Sequence, residues 1–215
     1  MIVLHFEDPV YVLDLGADEN RFAPDWLKGV HAALDTVAGS ASALVTIGTG
    51  KFYSNGLDLD WLSAHGDQAQ SYVADVQDLL ARVLTLPVPT IAAVNGHAFG
   101  AGAMLAMAHD FRIMRADRGF FCFPEADINI PFTPGMAALI QAKLTPAAAI
   151  ASMTTGTRFG GPDARELGLV DDTASEAELR DRAVARVRPL AGKDPGTLGT
   201  IKATMFAAAV SALRA

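Results

Sequence analysis

Three short stretches carry residue types that can do chemistry. The first is Gly48-Thr49-Gly50-Lys51-Phe52-Tyr53-Ser54-Asn55-Gly56-Leu57-Asp58-Leu59, and the second runs from Pro89 through Asn95-Gly96-His97-Ala98-Phe99-Gly100-Ala101-Gly102-Ala103-Met104. Both are glycine-rich junctions between a strand signal and a helix signal. Glycine permits positive φ and lets the backbone approach a ligand closely. A helix that begins after Gly100 points its free N–H groups and the positive end of its dipole at whatever lies before it. Two such junctions facing one another supply two backbone donors, the layout of an oxyanion hole. Each alone is equally an ordinary tight connection. The third stretch is Gly119-Phe120-Phe121-Cys122-Phe123-Pro124-Glu125-Ala126-Asp127-Ile128, where one carboxylate closes an aromatic strand. Burial among rings disfavours the charged form and raises its pKa. A carboxyl tuned in that way takes a carbon-bound proton and gives it back. Composition alone leaves Glu125 equally readable as a surface residue at a strand end.

Other chemistries lack their signatures. Gly100-Ala101-Gly102 is not a dinucleotide fingerprint, and no P-loop Gly-Lys-Ser/Thr occurs. No Gly-x-Ser-x-Gly elbow is present. The five histidines show no metal-ligand spacing, and His97 and His109 read as satisfied structural residues. Cys122 reads as a small buried side chain.

The elements that must position these stretches alternate. Residues 2–6 and 10–15 are β-rich runs joined at Glu7-Asp8-Pro9, a hairpin pattern. Residues 25–38 place Trp26, Leu27, Val30, Leu34 and Val37 at helical spacing behind Pro24. Residues 43–48 read as a buried strand, 70–86 as a long helix stopped by Pro87 and Pro89, and 90–94 and 111–114 as further strands. These strands lack polar alternation, as expected where a sheet is covered on both faces. The order favours an α/β fold with mostly parallel pairing and right-handed crossovers. From about Thr133 onward the pattern is almost wholly helical, with Pro146, Pro162 and Pro195 placed to open helices. The charges of residues 177–190 read as one solvated helix face. The nearest thing to a boundary is Gly160-Gly161-Pro162, giving a core over 1–160 and a helical region over 161–215 within one domain.

Composition narrows the classes. The chain has 215 residues, 51% apolar and 19% charged, which suits one sizeable core and excludes a mostly disordered chain. The net charge is −7 with no basic cluster, so a nucleic-acid partner is not expected. One cysteine forbids an intrachain disulfide. No signal peptide, membrane span or C-terminal Ser-Lys-Leu is read, so the expectation is a cytoplasmic protein with no membrane partner.

Together the three stretches resemble the crotonase, or enoyl-CoA hydratase/isomerase, superfamily. Phe52 to Leu59 is similar to that family's Phe-Ser-x-Gly-x-Asp-Leu turn. Pro89 to Gly102 resembles its Pro-x-Ile-Ala-Ala-Val-Asn-Gly segment and glycine cluster. Phe123-Pro124-Glu125 falls where the family carries its second-half acid, and Gly160 to Asp171 resembles its later Gly-Leu-Val segment. The resemblance implies a spiral of repeated ββα units with a helical C-terminal extension used in trimer assembly. It implies an acyl-CoA thioester partner and no separate cofactor or metal, the CoA being part of the substrate. It places the oxyanion amides at Leu57 and Ala101 and the catalytic acid at Glu125. Ser54, Asn55, Gly56, Asp58, Gly100 and Gly102 would surround the substrate. Met104 and Phe132, with Phe120 and Phe123, would line an acyl pocket, though each alone also reads as plain core. Lys51, Lys202 or nearby arginines would be the ones to meet the CoA phosphates, and each reads equally as an ordinary solvated charge.

Hydratases of this family place a first glutamate at the position of Met104. Methionine cannot activate water, so the single-acid pattern resembles the Δ3,Δ2-enoyl-CoA isomerases of fatty-acid β-oxidation, especially their plant-like members. A hydratase, thioesterase or decarboxylase acting on a CoA thioester, or a non-catalytic acyl-CoA-binding subunit, are the competing readings. At 215 residues the chain is short for the family, so loops and C-terminal helices should carry the shortening.

Overall fold

The computed structural model describes residues 2–215. The chain runs β1 (Val3–Glu7), β2 (Val10–Asp14), α1 (Pro24–Ala38), β3 (Ala43–Ile47), β4 (Phe52–Ser54), α2 (Leu59–Ala64), α3 (Ala69–Leu84), β5 (Thr90–Val94), β6 (His97–Phe99), α4 (Ala101–Ala108), β7 (Phe111–Arg115) and β8 (Phe121–Cys122). It continues with α5 (Glu125–Ile128), α6 (Pro134–Lys143), α7 (Pro146–Met153), α8 (Gly161–Glu166), β9 (Asp172–Ala174), α9 (Glu176–Val187), α10 (Pro195–Met205) and α11 (Ala207–Leu213).

Two sheets result. The larger has the order β1-β2-β3-β5-β7-β9, antiparallel only at the β1–β2 hairpin. The smaller is the parallel set β4-β6-β8. Three long strands of the larger sheet are each followed by a short strand of the smaller one and then by helix: β3-β4-α2/α3, β5-β6-α4, β7-β8-α5. This is the ββα repeat expected from the resemblance. The short strands are two or three residues long, too short to show alternation, so only the aromatic β8 is foreshadowed by the sequence.

The absence of polar alternation in the long strands has a direct cause. Val10, Val12, Ala43, Val45, Ile91, Ala93 and Ile113 face one side, beneath Leu179, Ala183, Val184 and Val187 of α9. Leu13, Leu44, Ala92, Val94 and Met114 face the other, in the core formed with α1, α3 and α4. Both faces are buried, so successive residues are apolar. Helix α1 buries Leu27, Val30, Leu34 and Val37 on one stripe, each worth about 1.5–3 kcal/mol on removal from water.

One expectation is corrected. The part after Thr133 is not wholly helical, because Asp172–Ala174 forms β9 and pairs in parallel with Ile113–Arg115 of β7. Three residues on a sheet edge carry no period that could betray them. The segment beyond residue 160 thus supplies both the last strand and the helix that covers the larger sheet. Among the described residues no single helix is long and apolar enough to cross a membrane, and the successive helices α10 and α11 are bent by 77°.

Candidate active site

The turn after β4 and the start of α4 lie against each other, and two glycines make the approach possible. Gly56 has φ 78°, and a Cβ there would fall 2.7 Å from the Phe99 carbonyl oxygen and 2.8 Å from the Ala101 nitrogen. A Cβ on Gly102 would fall 2.3 Å from the Ser54 carbonyl oxygen. Real atoms do not pack so closely, so neither position accepts a side chain without the backbone moving. Gly100, φ 50°, is the residue at which β6 turns into α4. The helix that follows is buried at every position from Ala101 to Ala108.

The first turn is braced from below. Ser54 Oγ donates to the Asn20 carbonyl at 2.7 Å and accepts from the Gly56 amide at 3.1 Å. The Asn20 side-chain amide donates to the carbonyls of Gly16 and Tyr53, both at 3.1 Å. The Phe22 amide donates to the Gly56 carbonyl at 2.8 Å. Asp58 caps α2, accepting from the Trp61 amide at 3.1 Å. The second junction is tied to β8, since the Gly100 amide donates to the Cys122 carbonyl at 3.0 Å. After these bonds the amides of Leu57 and Ala101 have no acceptor among the described residues.

A cavity of about 320 Å³ opens at this meeting point. Its wall includes Asn55, Leu57, Gly100, Ala101 and Glu125 from the expected set. Glu125 opens α5 instead of ending a strand, and it is 9% exposed. Its Oε1 is 3.5 Å from where a Cβ on Gly100 would sit, and its Oε2 is buried without a hydrogen-bond partner. Burial pushes its pKa up to about 7, with its own backbone amide pulling weakly the other way. A carboxyl with an ordinary partner would not be held there.

Several expected neighbours lie elsewhere. Met104 is 1% exposed, packs in the core and is not among the wall residues. Phe132 packs edge-on to Phe123, ring centroids 6.2 Å apart, and is also outside the wall. Ser54, Gly56, Asp58 and Gly102 stand behind the wall and shape it. Lys202, a candidate for phosphate contact, is 4% exposed and held by Asp110 at 2.6 Å and the Val88 carbonyl at 2.7 Å. It is therefore a buried ion pair and not a free cation. His97 also differs from expectation: its Nδ1 is buried without a partner, among Phe52, Phe99 and Phe120. Burial lowers its pKa, helped by the positive charges of Lys51, Arg118 and Arg158.

Other wall residues were not legible beforehand. Arg21 stands at the cavity beside Asp60, which its guanidinium meets at 2.7 Å, while also pairing with Glu19 at 2.5 Å. Its only sequence signal is the polar run Asp18-Glu19-Asn20-Arg21 between two apolar elements. Leu59, Ile128 and Ile130 form an exposed apolar rim. The two isoleucines, so soon after an acid and before Pro131, were a readable hint.

The cavity wall thus brings together Leu57 and Ala101, whose amides have no acceptor among the described residues, and a carboxyl of raised pKa whose Oε2 has no partner. Comparison with known proteins agrees in kind. The profile of a family described as enoyl-CoA hydratase/isomerase matches residues 9–215. Enoyl-CoA delta isomerase 3 of Arabidopsis thaliana is 38% identical over 186 residues, 82% of this chain and 78% of that protein. The peroxisomal enoyl-CoA delta isomerase 2 of the same plant is 36% identical over 189 residues, 83% and 79% of the two chains. An apo enoyl-CoA isomerase structure from Mycobacterium tuberculosis superposes with a TM-score of 0.91 at 25% identity, covering 99% of this chain and 94% of that one.

Proposed function

The chain belongs to the enoyl-CoA hydratase/isomerase family, and from that premise we propose that it is an enoyl-CoA isomerase converting a 3-enoyl-CoA to the trans-2-enoyl-CoA. The observation that carries this reading is Glu125: its Oε2 is buried at the cavity without a hydrogen-bond partner, beside Gly100 and Ala101, while the other cavity carboxyl, Asp60, is paired with Arg21. The thioester oxygen accepts from the amides of Leu57 and Ala101. Ionised Glu125 removes a proton from C2, and the electron pair moves onto the thioester oxygen as a dienolate forms. The two amides stabilise that developing charge, each such donor being worth about 3 kcal/mol. Glu125 returns the proton to C4, the double bond settles between C2 and C3, and the carboxylate is regenerated. Substrate and product are isomers, so the step balances with no redox partner or metal. The product is the form that hydration in fatty-acid β-oxidation consumes.

Water addition needs a second group to orient water. The other cavity carboxylate, Asp60, is paired with Arg21, and the Met104 side chain is enclosed in the core. These favour proton shuttling over hydration. The CoA phosphates are assigned to Lys51, with Arg118 and Arg158 gathered around His97 next to the wall residue Phe99. A homotrimer is proposed on the exposed apolar side chains of the helical region, Ile150 on α7 and Ile201 and Met205 on α10, which are 54–66% exposed in the single chain. A cytoplasmic location is proposed with it, and fractionation of the native host decides between that and a peroxisome-like compartment. The central test is conversion of 3-hexenoyl-CoA by purified protein, followed as the rise of the conjugated enoyl thioester. Absence of that conversion, with the thioester bound, would overturn the isomerase reading and leave another CoA-thioester chemistry or a binding role.

A further inference from the structure

Three buried side chains join the two halves of the donor pair. The Tyr53 hydroxyl lies 2.8 Å from Thr46 Oγ1, Thr46 Oγ1 lies 2.9 Å from His109 Nε2, and His109 Nδ1 lies 2.8 Å from the Leu105 carbonyl. Their exposures are 0%, 2% and 0%. Each belongs to a different part of the fold. Thr46 is on β3 of the larger sheet, and Tyr53 is on β4, four residues before Leu57. His109 caps the C-terminus of α4, whose first residue is Ala101.

The direction of every hydrogen bond follows. A carbonyl only accepts, so His109 Nδ1 carries the hydrogen to Leu105. Burial holds the ring neutral with a pKa lowered to about 4, and the charges of Arg112 and Lys143 push the same way while the Leu105 bond and Asp110 oppose. Nε2 is then an acceptor, and Thr46 donates to it. The Thr46 oxygen is left to accept from Tyr53, whose own pKa burial raises. The chain has one arrangement.

Apolar side chains of the same shape would fill this space without the desolvation cost of three polar groups. What a directed chain adds is geometry. Hydrogen bonds weaken steeply outside a narrow range of length and angle, whereas apolar contacts slide. The geometry points to a positioning role: Tyr53, Thr46 and His109 lock β4 to α4 through β3 and so set the spacing of the Leu57 and Ala101 amides. This rests on the oxyanion reading of those amides, and none of the three residues touches the cavity.

The test uses Tyr53→Phe, which keeps the ring in the core and deletes one bond, and Thr46→Val, which deletes two. Ser152→Ala, which removes a buried hydroxyl bonded to the Ala148 carbonyl on α7, is the control for a loss of stability alone. The probe is a chromophoric aryl-enoyl-CoA, whose absorbance moves to longer wavelength when its thioester oxygen is polarised. Wild type should show that shift on binding. Tyr53→Phe and Thr46→Val should bind the probe nearly as well, lose much of the shift, and lose about tenfold in kcat with little change in KM, a partial loss of donor stabilisation. Ser152→Ala should keep shift and kcat. Variants that retain the full shift and kcat despite a lower Tm overturn the positioning role. Wild type that binds without any shift overturns the oxyanion reading itself. If Thr46→Val does not fold, Tyr53→Phe alone decides.

Discussion

The Ser54 carbonyl oxygen rests against Gly102, so near that a methyl group on the glycine would lie 2.3 Å from it. Through this contact the strand leading to the Leu57 amide is seated on the first turn of the helix that offers the Ala101 amide. Gly102→Ala therefore sets two effects against each other. Alanine favours a helix by about 1 kcal/mol over glycine. Overpacking against immobile backbone costs about 1–3 kcal/mol or more. The clash is with backbone and wins, so the variant should melt lower and lose isomerase activity by well over tenfold. Thermal melts and turnover of 3-hexenoyl-CoA check it; a variant of normal kcat would mean the two halves need not touch.

Glu125→Gln keeps the shape of the side chain and removes the base. General acid–base groups contribute about 100-fold to 10,000-fold, so isomerisation should fall at least to the lower bound while thioester binding persists. Wild type should hydrate crotonyl-CoA poorly. Brisk hydration would show that some group other than Met104 or the Arg21-paired Asp60 activates water.

The raised pKa of Glu125 makes two pH predictions. The base must be ionised, so kcat/KM should rise with pH through an apparent pKa of about 7. Stability runs the opposite way. The folded carboxyl holds its proton up to about 7 and the unfolded one, with the ordinary value of 4.5, releases it earlier. The folded state is thus penalised as pH climbs from 4.5 to 7. Between pH 5 and pH 8 wild type should lose on the order of 2 kcal/mol relative to Glu125→Gln. Urea titrations of both proteins at the two pH values measure the difference, and equal changes would place Glu125 in a more solvated setting.

His109 works in the other direction. Its folded pKa, about 4, lies below the ordinary 6.5, so the unfolded chain takes up the proton first as pH falls. Stability from the neutral ring is full above 6.5 and is lost progressively between 6.5 and 4. His109→Gln should flatten that acid limb in the same titrations. An unchanged limb would assign it to other groups.

The two lysines separate binding from folding. Lys51 is exposed and near Arg118 and Arg158, so Lys51→Ala should raise KM for CoA thioesters several-fold with kcat nearly kept. Lys202 is buried against Asp110, and Lys202→Met leaves that carboxylate without its partner. Breaking such a pair costs about 3–5 kcal/mol, so the second variant should lose stability first. Activity assays beside melting curves distinguish the two patterns.

Much of this was legible along the chain. The apolar runs of β3 and β5, the stripe on α1, the two glycine junctions and the acid after the aromatic strand are all local patterns. Each reflects a period, a steric requirement or a neighbour a few residues away, so a linear reading suffices. The strand of three residues at Asp172–Ala174 carries no such period, and only the free edge of β7 makes it a strand.

What the tertiary structure alone decided concerns partners far apart in sequence. Met104 packs in the core outside the cavity wall, although its spacing from Gly100 suggested a place there. Arg21 reaches the cavity because Asn20 and Ser54 pin its segment beneath the first turn. Lys202 finds Asp110 across 92 positions, and Thr46 finds His109 across 63. Residue types specify which groups can bond or ionise. Whether a given lysine is solvated or a given carboxyl is left without a partner depends on the packing of elements whose separation along the chain holds no trace of it.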